Sequence, residues 1–215
     1  MTAIKLYGYW RSSSTWRVRI GLAYKRVPHE TVPVDLLAGE QHAEAYAAVN
    51  PLGMVPALEV TEGGRTVRLA QSLAILEWLE ERFPAPPLLP REPFARAKAR
   101  QLAELVNSSI QPLHNQLVLQ KVEAAGIARN DWGDFWVKRG LAALEREAAG
   151  SAGRFLVGDE PSLADVCLVP QLYAARRFGV DVAAYPTLAR VEAACVDLPA
   201  FRESHPNTQP DARPA

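Results

Sequence analysis

The chain has 215 residues, 48% of them hydrophobic, enough to bury one large or two small cores. Its 24 Lys and Arg balance 24 Asp and Glu, so it carries no global field to draw nucleic acid or an anionic membrane. Two cysteines, Cys167 and Cys195, make neither a disulfide framework nor a metal cluster, no apolar run is long enough to span a bilayer, and no signal-peptide pattern opens the chain; a cytoplasmic protein is expected.

Residues 4–7 read as a strand and residues 15–25 as an amphipathic helix with Val18, Ile20, Leu22 and Ala23 on its apolar side. Between them runs Arg11-Ser12-Ser13-Ser14-Thr15. A hydroxyl-rich turn from strand to helix offers unbonded backbone N–H groups and the positive end of the helix dipole, a natural seat for an anion. The same serines also suit a plain helix N-cap. Residues 30–34 form a second strand candidate whose Pro33 points to a sheet edge, and residues 41–49 a short, weak helix. After a turn at Asn50-Pro51-Leu52-Gly53, residues 57–60 begin a third strand, Glu62-Gly63-Gly64-Arg65 turns the chain, and residues 66–69 return antiparallel. Ser72 is read as the cap of a helix whose apolar face carries Leu73, Ile75, Leu76, Trp78 and Leu79. The order β-α-β-α-β-β-α is the thioredoxin-like pattern.

Five prolines in residues 84–93 mark a semi-rigid linker, and every later segment reads as helix. Residues 94–122 read as one long helix with Ile110, Leu113, Leu117 and Val118 inward and a kink at Pro112. Residues 132–149 form another, with Trp136, Leu141 and Leu144 buried. Ser162-Leu163-Ala164-Asp165 has the form of a capping box and opens an apolar helix over 166–178. Residues 186–196 give one more helix, and residues 204–215 a polar, poorly ordered tail. The expected division is therefore an α/β thioredoxin-like domain over 1–83, a linker over 84–92 and an all-α domain over 93–215.

Three further pieces offer chemistry. Val55-Pro56 before a strand is a candidate cis peptide whose exposed backbone edge at Val55 would accept an extended peptide; an ordinary trans proline in a loop fits the same sequence. Gln71-Ser72 at a helix start would meet a carboxylate with N–H groups and a hydroxyl. Arg11 beside the serines and Arg177 at a helix end suit bidentate carboxylate binding, while Arg176 reads as a solvated neighbour. The four histidines show no metal-ligand spacing, no Gly-rich phosphate loop is present, and Cys167 reads as a buried small hydrophobe.

The run Arg11-Ser12-Ser13-Ser14-Thr15-Trp16-Arg17-Val18-Arg19-Ile20 resembles the zeta-class glutathione transferase signature Ser-Ser-Cys-x-x-Arg-Val-Arg-Ile. Asn50-Pro51 with Val55-Pro56, Gln71-Ser72-Leu73-Ala74-Ile75, Ile110-Gln111-Pro112-Leu113, Ala164-Asp165-Val166-Cys167-Leu168-Val169-Pro170-Gln171, and His205-Pro206 with Gln209-Pro210-Asp211 are similar to segments of that class too. The likeness covers residues 4–211. It implies a homodimer that uses glutathione as cofactor to isomerise maleylacetoacetate, or maleylpyruvate in a close bacterial relative. By position it implies that Ser12, with Ser13 and Ser14 beside it, meets the glutathione sulfur and that Val55 (before Pro56) pairs with the cysteinyl backbone. Gln71 and Ser72 would hold the γ-glutamyl end, and Gln41, Gln111 and Asn115 would add side-chain contacts.

One departure is Ser14, where the signature has Cys, so mixed disulfides with glutathione at that position are not expected. The implied chemistry is addition of the thiolate to a cis double bond, rotation and elimination, with Arg11 and Arg177 clamping the substrate's anionic groups. Two rivals remain at this level. One is a transferase that conjugates α-halo acids, favoured by an apolar second-domain pocket; the other is a non-catalytic binding module.

Overall fold

Strand β1 (Ala3–Gly8) buries Ile4, Leu6 and Gly8 on one side, the period-2 pattern of a strand with a covered face. It lies between β2 (Glu30–Pro33), parallel to it, and β3 (Ala57–Glu62), antiparallel, and β4 (Arg65–Ala70) completes the order β2-β1-β3-β4. Pro33 sits on the edge strand, where its missing N–H costs no ladder bond. The β3–β4 hairpin turns at Gly63 and Gly64, with φ +57° and +79°, the two positive values that a two-residue turn matching the strand twist requires.

Helix α1 (Ser13–Tyr24) follows β1, and α2 (Glu44–Ala47) is a single turn preceded by a 3-10 turn over Glu40–His42, so the expected helix over 41–49 is broken at the extended Ala43. Helix α3 (Ser72–Arg82) closes the α/β unit. Its N-cap is Gln71 rather than Ser72. Gln71 takes φ +72°, which turns the chain out of β4 before the helix begins and makes Ser72 its first residue. At the other end of this helix Lys25 Nζ donates to Glu80 Oε2 at 2.7 Å, Phe83 O at 2.7 Å and Pro86 O at 2.9 Å, so a buried ammonium is fully bonded.

The remaining helices are α4 (Pro93–Ser109), α5 (Gln116–Ala124), α6 (Arg129–Ala148), α7 (Leu163–Arg177), α8 (Pro186–Val196) and α9 (Pro199–Glu203). The single helix expected over 94–122 is two: Ile110 leaves helical geometry, Gln111–His114 forms a 3-10 turn around Pro112, and Asn115 caps α5 through Leu117 N–H at 3.0 Å. The reset register exposes Leu117 and buries Leu119 in its place. Trp136 is half-buried, whereas Leu141 and Leu144 are buried as expected. Helix α7 starts with the expected capping box, and Cys167 is buried inside it.

The structure describes residues 2–213 of this computed structural model, which fall into two compact units. The described parts of Met1–Pro87 and Pro199–Ala215 form the thioredoxin-like unit, and Leu88–Leu198 forms the helical one. Two expectations change. Leu88 and Leu89 are buried, and Leu88 C=O accepts from Leu163 N–H at 2.9 Å, so the helical unit begins inside the proline-rich stretch. The tail expected to be poorly ordered instead folds against α1: Trp16 Nε1 donates to Ser204 Oγ at 3.1 Å, and the His205 ring meets Trp16 edge-on at 5.1 Å. Pro214 and Ala215 lie outside the described residues. Packed by α3 and α9 as well, α1 is buried on every side from Thr15 to Leu22, Arg17 and Arg19 included, so it is not the amphipathic helix its periodicity suggests.

Candidate active site

Sheet register assembles the site in the thioredoxin-like unit. Tyr7 pairs with Ala57, and Ala57 pairs with Ala70. The segments that follow Tyr7, precede Ala57 and follow Ala70 therefore emerge at one end of the sheet. These are Arg11–Ser14, Val55-Pro56 and Gln71-Ser72. Gly8 permits the close return of α1, since a Cβ there would lie 2.2 Å from Thr15 Cγ2.

Ser12 N–H donates to Tyr9 C=O at 3.0 Å, a β-turn that delivers Ser12 to the head of α1. As N-cap, Ser12 Oγ accepts from Thr15 N–H at 3.2 Å. Capping uses a lone pair and leaves the hydroxyl hydrogen to donate, so cap and anion donor are the same atom in two roles. Ser13 and Ser14 occupy the first turn, and Ser14 N–H carries no hydrogen bond among the described residues. The guanidinium of Arg11 lies over the Trp10 ring at 5.2 Å.

The Val55–Pro56 peptide is cis. Val55 N–H and C=O make no hydrogen bond among the described residues, at a bend just before β3. The approach to that bend is fixed from behind: Tyr46 Oη and Asn50 Nδ2 each donate to Met54 C=O at 2.7 Å. Burial pushes the Tyr46 phenol up to about 12, so it stays a donor across the physiological range. Asn50→Ala is expected to loosen this turn and cost about 1 kcal/mol of stability through loss of one such bond, checked by thermal unfolding. Gln41 lies beside the same turn, its backbone oxygen 3.1 Å from where a Cβ on Gly53 would stand. Its side-chain Oε1 is buried and accepts nothing among the described residues. An acceptor orphaned in this way fits a ligand that brings an N–H.

Ser72 is buried at the head of α3, and its Oγ accepts from Arg17 Nη1 at 3.2 Å. The hydroxyl hydrogen remains to be donated, beside a buried positive charge and a helix N-terminus. Gln71, at φ +72°, holds a conformation that costs a residue with a side chain about 1–3 kcal/mol and that concentrates at ligand-holding turns.

Gln111, Asn115 and Arg177 belong to the helical unit, where the structure brings their segments together. His114, buried between Gln111 and Asn115, shares a hydrogen bond with Gln171 of α7 at 3.2 Å and meets the Phe178 ring at a tilt at 5.3 Å, next to Arg177. Trp132 Nε1 donates to Leu113 C=O at 2.7 Å and closes the same cluster. Asn115 spends its Oδ1 on the α5 cap, and Gln111 opens the 3-10 turn. Arg176 forks onto Glu192 at 2.7 and 2.5 Å and so has a structural role. Sequence reading missed Arg17, Tyr46, Asn50 and His114. The signal for Arg17 was a charged residue inside an otherwise apolar stretch; the others gave none.

Residues 6–87 match the glutathione S-transferase N-terminal domain model, and residues 137–180 the C-terminal domain model. Maleylacetoacetate isomerase of Pseudomonas aeruginosa is 48% identical over 97% of this chain and 98% of its own length. Among solved structures, maleylacetoacetate isomerase from Anaeromyxobacter dehalogenans 2CP-1 with bound GSH in the active site superposes with a TM-score of 0.92 at 55% identity, covering 99% of both chains. The same enzyme with bound dicarboxyethyl glutathione and citrate also gives 0.92. Maleyl pyruvate isomerase, a bacterial glutathione S-transferase in zeta class, gives 0.91 at 41% identity, over 97% of this chain and 100% of that one. The chain belongs to the glutathione S-transferase family and, within it, to the zeta-class group of maleylacetoacetate isomerases.

Proposed function

We propose that this chain catalyses the glutathione-dependent cis-trans isomerisation of maleylacetoacetate to fumarylacetoacetate. The observation that carries the reading is the Ser12 hydroxyl, which caps α1 with a lone pair and keeps its hydrogen to donate at a helix N-terminus. Glutathione, when bound, supplies a thiolate that adds to the cis double bond and departs after rotation, so that it is regenerated. A free thiol titrates near 8.5, and the part of Ser12 and the first turn of α1, with Ser13 and Ser14, is to favour the anion. Val55, set by Pro56, takes an extended peptide backbone as an added strand. Gln71 and Ser72 hold a terminal carboxylate and ammonium, and the orphaned Gln41 Oε1 accepts an N–H. The dicarboxyethyl glutathione bound by the Anaeromyxobacter enzyme supports a dicarboxylate-type substrate.

Arg11 and Arg177 are the proposed carboxylate partners, stabilising charge as it develops on the substrate. Charge-assisted contacts are worth about 1.5–3 kcal/mol, so Arg177→Ala should lower kcat/KM for the diacid by about ten-fold or more while glutathione affinity holds. Unchanged isomerase kinetics would remove Arg177 from the reaction. The reading also carries a cytosolic homodimer, which sedimentation tests.

The deciding experiment is turnover of maleylacetoacetate and of maleylpyruvate, each with and without glutathione. Isomerisation that requires glutathione without consuming it is expected, with maleylacetoacetate the better substrate. The maleyl pyruvate isomerase likeness makes a preference for maleylpyruvate the second reading. Net consumption of glutathione with an α-halo acid, and no turnover of either diacid, would establish a conjugating enzyme instead.

A further inference from the structure

Trp10 and Arg11 are the central residues of the β-turn that Ser12 N–H closes on Tyr9 C=O. In a surface turn of this kind the N–H and C=O of the residue at the Trp10 position ordinarily face water. Here both are taken by the protein. Asp211 Oδ2 accepts from Trp10 N–H at 3.2 Å, and Arg19 Nη2 donates to Trp10 C=O at 2.8 Å. Arg19 also donates from Nε to Ser204 C=O at 3.1 Å, so one buried guanidinium ties the catalytic turn to the C-terminal segment. Burial pushes Arg19 down to about 10, and the Asp211 carboxylate works against that shift, which makes the two charges partners across the turn. The tail is anchored further at Ser204 itself, whose Oγ accepts from Trp16, and beyond Asp211 by Arg213 on Asp35 at 3.3 Å.

We propose that the C-terminal segment around Ser204 and Asp211 is a positioning device for the glutathione thiolate: with Arg19 it clamps both peptide groups of Trp10 and so fixes where the Ser12 hydroxyl stands. Asp211 and Arg19 are positioning residues, since neither belongs to the turn that meets the sulfur. The inference rests on the reading of Ser12 as the sulfur's hydrogen-bond donor. Its physical content is geometric. A hydrogen bond to an anion weakens steeply with misalignment, so slack in the turn lowers the preference for thiolate before it affects the fold.

The test compares wild type with Asp211→Ala, Asp211→Asn, Ser204→Ala and Ser12→Ala, titrating thiolate absorbance of the glutathione complex against pH and measuring glutathione Kd by tryptophan fluorescence. Asp211→Ala should raise the titration midpoint of the bound thiol by about half a pH unit or more and weaken Kd about five-fold, the loss of one charge-assisted bond. Asp211→Asn keeps an oxygen for Trp10 N–H and should lie between Asp211→Ala and wild type. Ser204→Ala loses the Trp16 anchor but keeps the backbone carbonyl that Arg19 uses, so it should raise the thiol midpoint by less than Asp211→Ala. Asp211→Ala that titrates and binds as wild type, well below its Tm, overturns the proposal. If that variant does not fold, Arg19→Lys replaces it, since one ammonium cannot span both carbonyls; wild-type titration there and in Asp211→Asn overturns the proposal equally. Ser12→Ala separates the two levels: if it leaves the thiol unmoved, the reading of the site itself fails, whereas a shift in Ser12→Ala alone defeats only the role given to the tail.

Discussion

Ser12→Ala is expected to lower kcat/KM for isomerisation about 100-fold, in the range found when one preorganised donor to a reacting anion is removed. The reasoning starts from the two uses of one oxygen. Ser12 Oγ accepts from Thr15 N–H, and loss of that cap costs about 1 kcal/mol, which α1 tolerates because it is buried from Thr15 to Leu22 and held by α3 and α9. The hydroxyl hydrogen is the catalytic loss. Without it the bound thiol should titrate close to its free value near 8.5, leaving only a few per cent of thiolate at neutral pH. Ser12→Thr keeps both the acceptor and the donor and should restore most of the activity. Ser12→Cys keeps a weak donor only and should restore little. A pH–rate profile checks this directly: the Ser12→Ala enzyme should recover activity as pH rises toward the free thiol value. A uniform loss at every pH would assign Ser12 to binding alone.

What the sequence disclosed follows the range of the interactions involved. The strands, the Ser12 turn and the Ser162–Asp165 box are encoded within a few neighbouring residues, so alternation, hydroxyl runs and four-residue spacing reveal them. Arg17 and Arg19 are different. Local periodicity treats them as outward-facing, and only partners far away in the chain make them interior: Ser72 of α3, 55 residues on, for Arg17, and Ser204, 185 residues on, for Arg19. The break at Ile110–Asn115 was hidden because Leu113 and Leu117 keep a helical four-residue spacing across it. Pro112 lacks the N–H that would continue the ladder, and Asn115 then restarts it. At Gln71-Ser72 a serine before an apolar run carries a strong capping signal. The positive φ that displaces it by one residue is imposed by the end of β4, which a local rule does not see.

Asp165→Ala should cost about 4 kcal/mol and lower Tm by about 10 °C, the largest stability loss expected from one side chain in the helical unit. Asp165 is wholly buried, and its two oxygens take three donors: Leu156 N–H at 2.8 Å on Oδ1, with Ser162 N–H and Ser162 Oγ–H at 2.8 Å on Oδ2. Truncation leaves two backbone N–H groups buried without acceptors, at about 1–3 kcal/mol each, and dissolves the capping box that starts the central helix α7. Asp165→Asn turns one of the acceptors into a donor facing another donor and should lose about half as much. Protonation gives this residue a second signature. Desolvation outweighs these hydrogen bonds and that of its own backbone N–H, and lifts the carboxyl from its ordinary 3.8 to about 6. The folded chain therefore binds this proton more tightly than the unfolded one, and folding takes a proton up between about pH 4 and pH 6. The contribution is largest below that window and shrinks by about 3 kcal/mol as pH rises through it. Thermal unfolding of wild type and Asp165→Asn across the same range isolates the effect, because the amide has no proton to take up. The wild-type advantage should narrow from pH 4 to pH 6; a constant difference would mean that Asp165 ionises as readily in the folded chain as in the unfolded one.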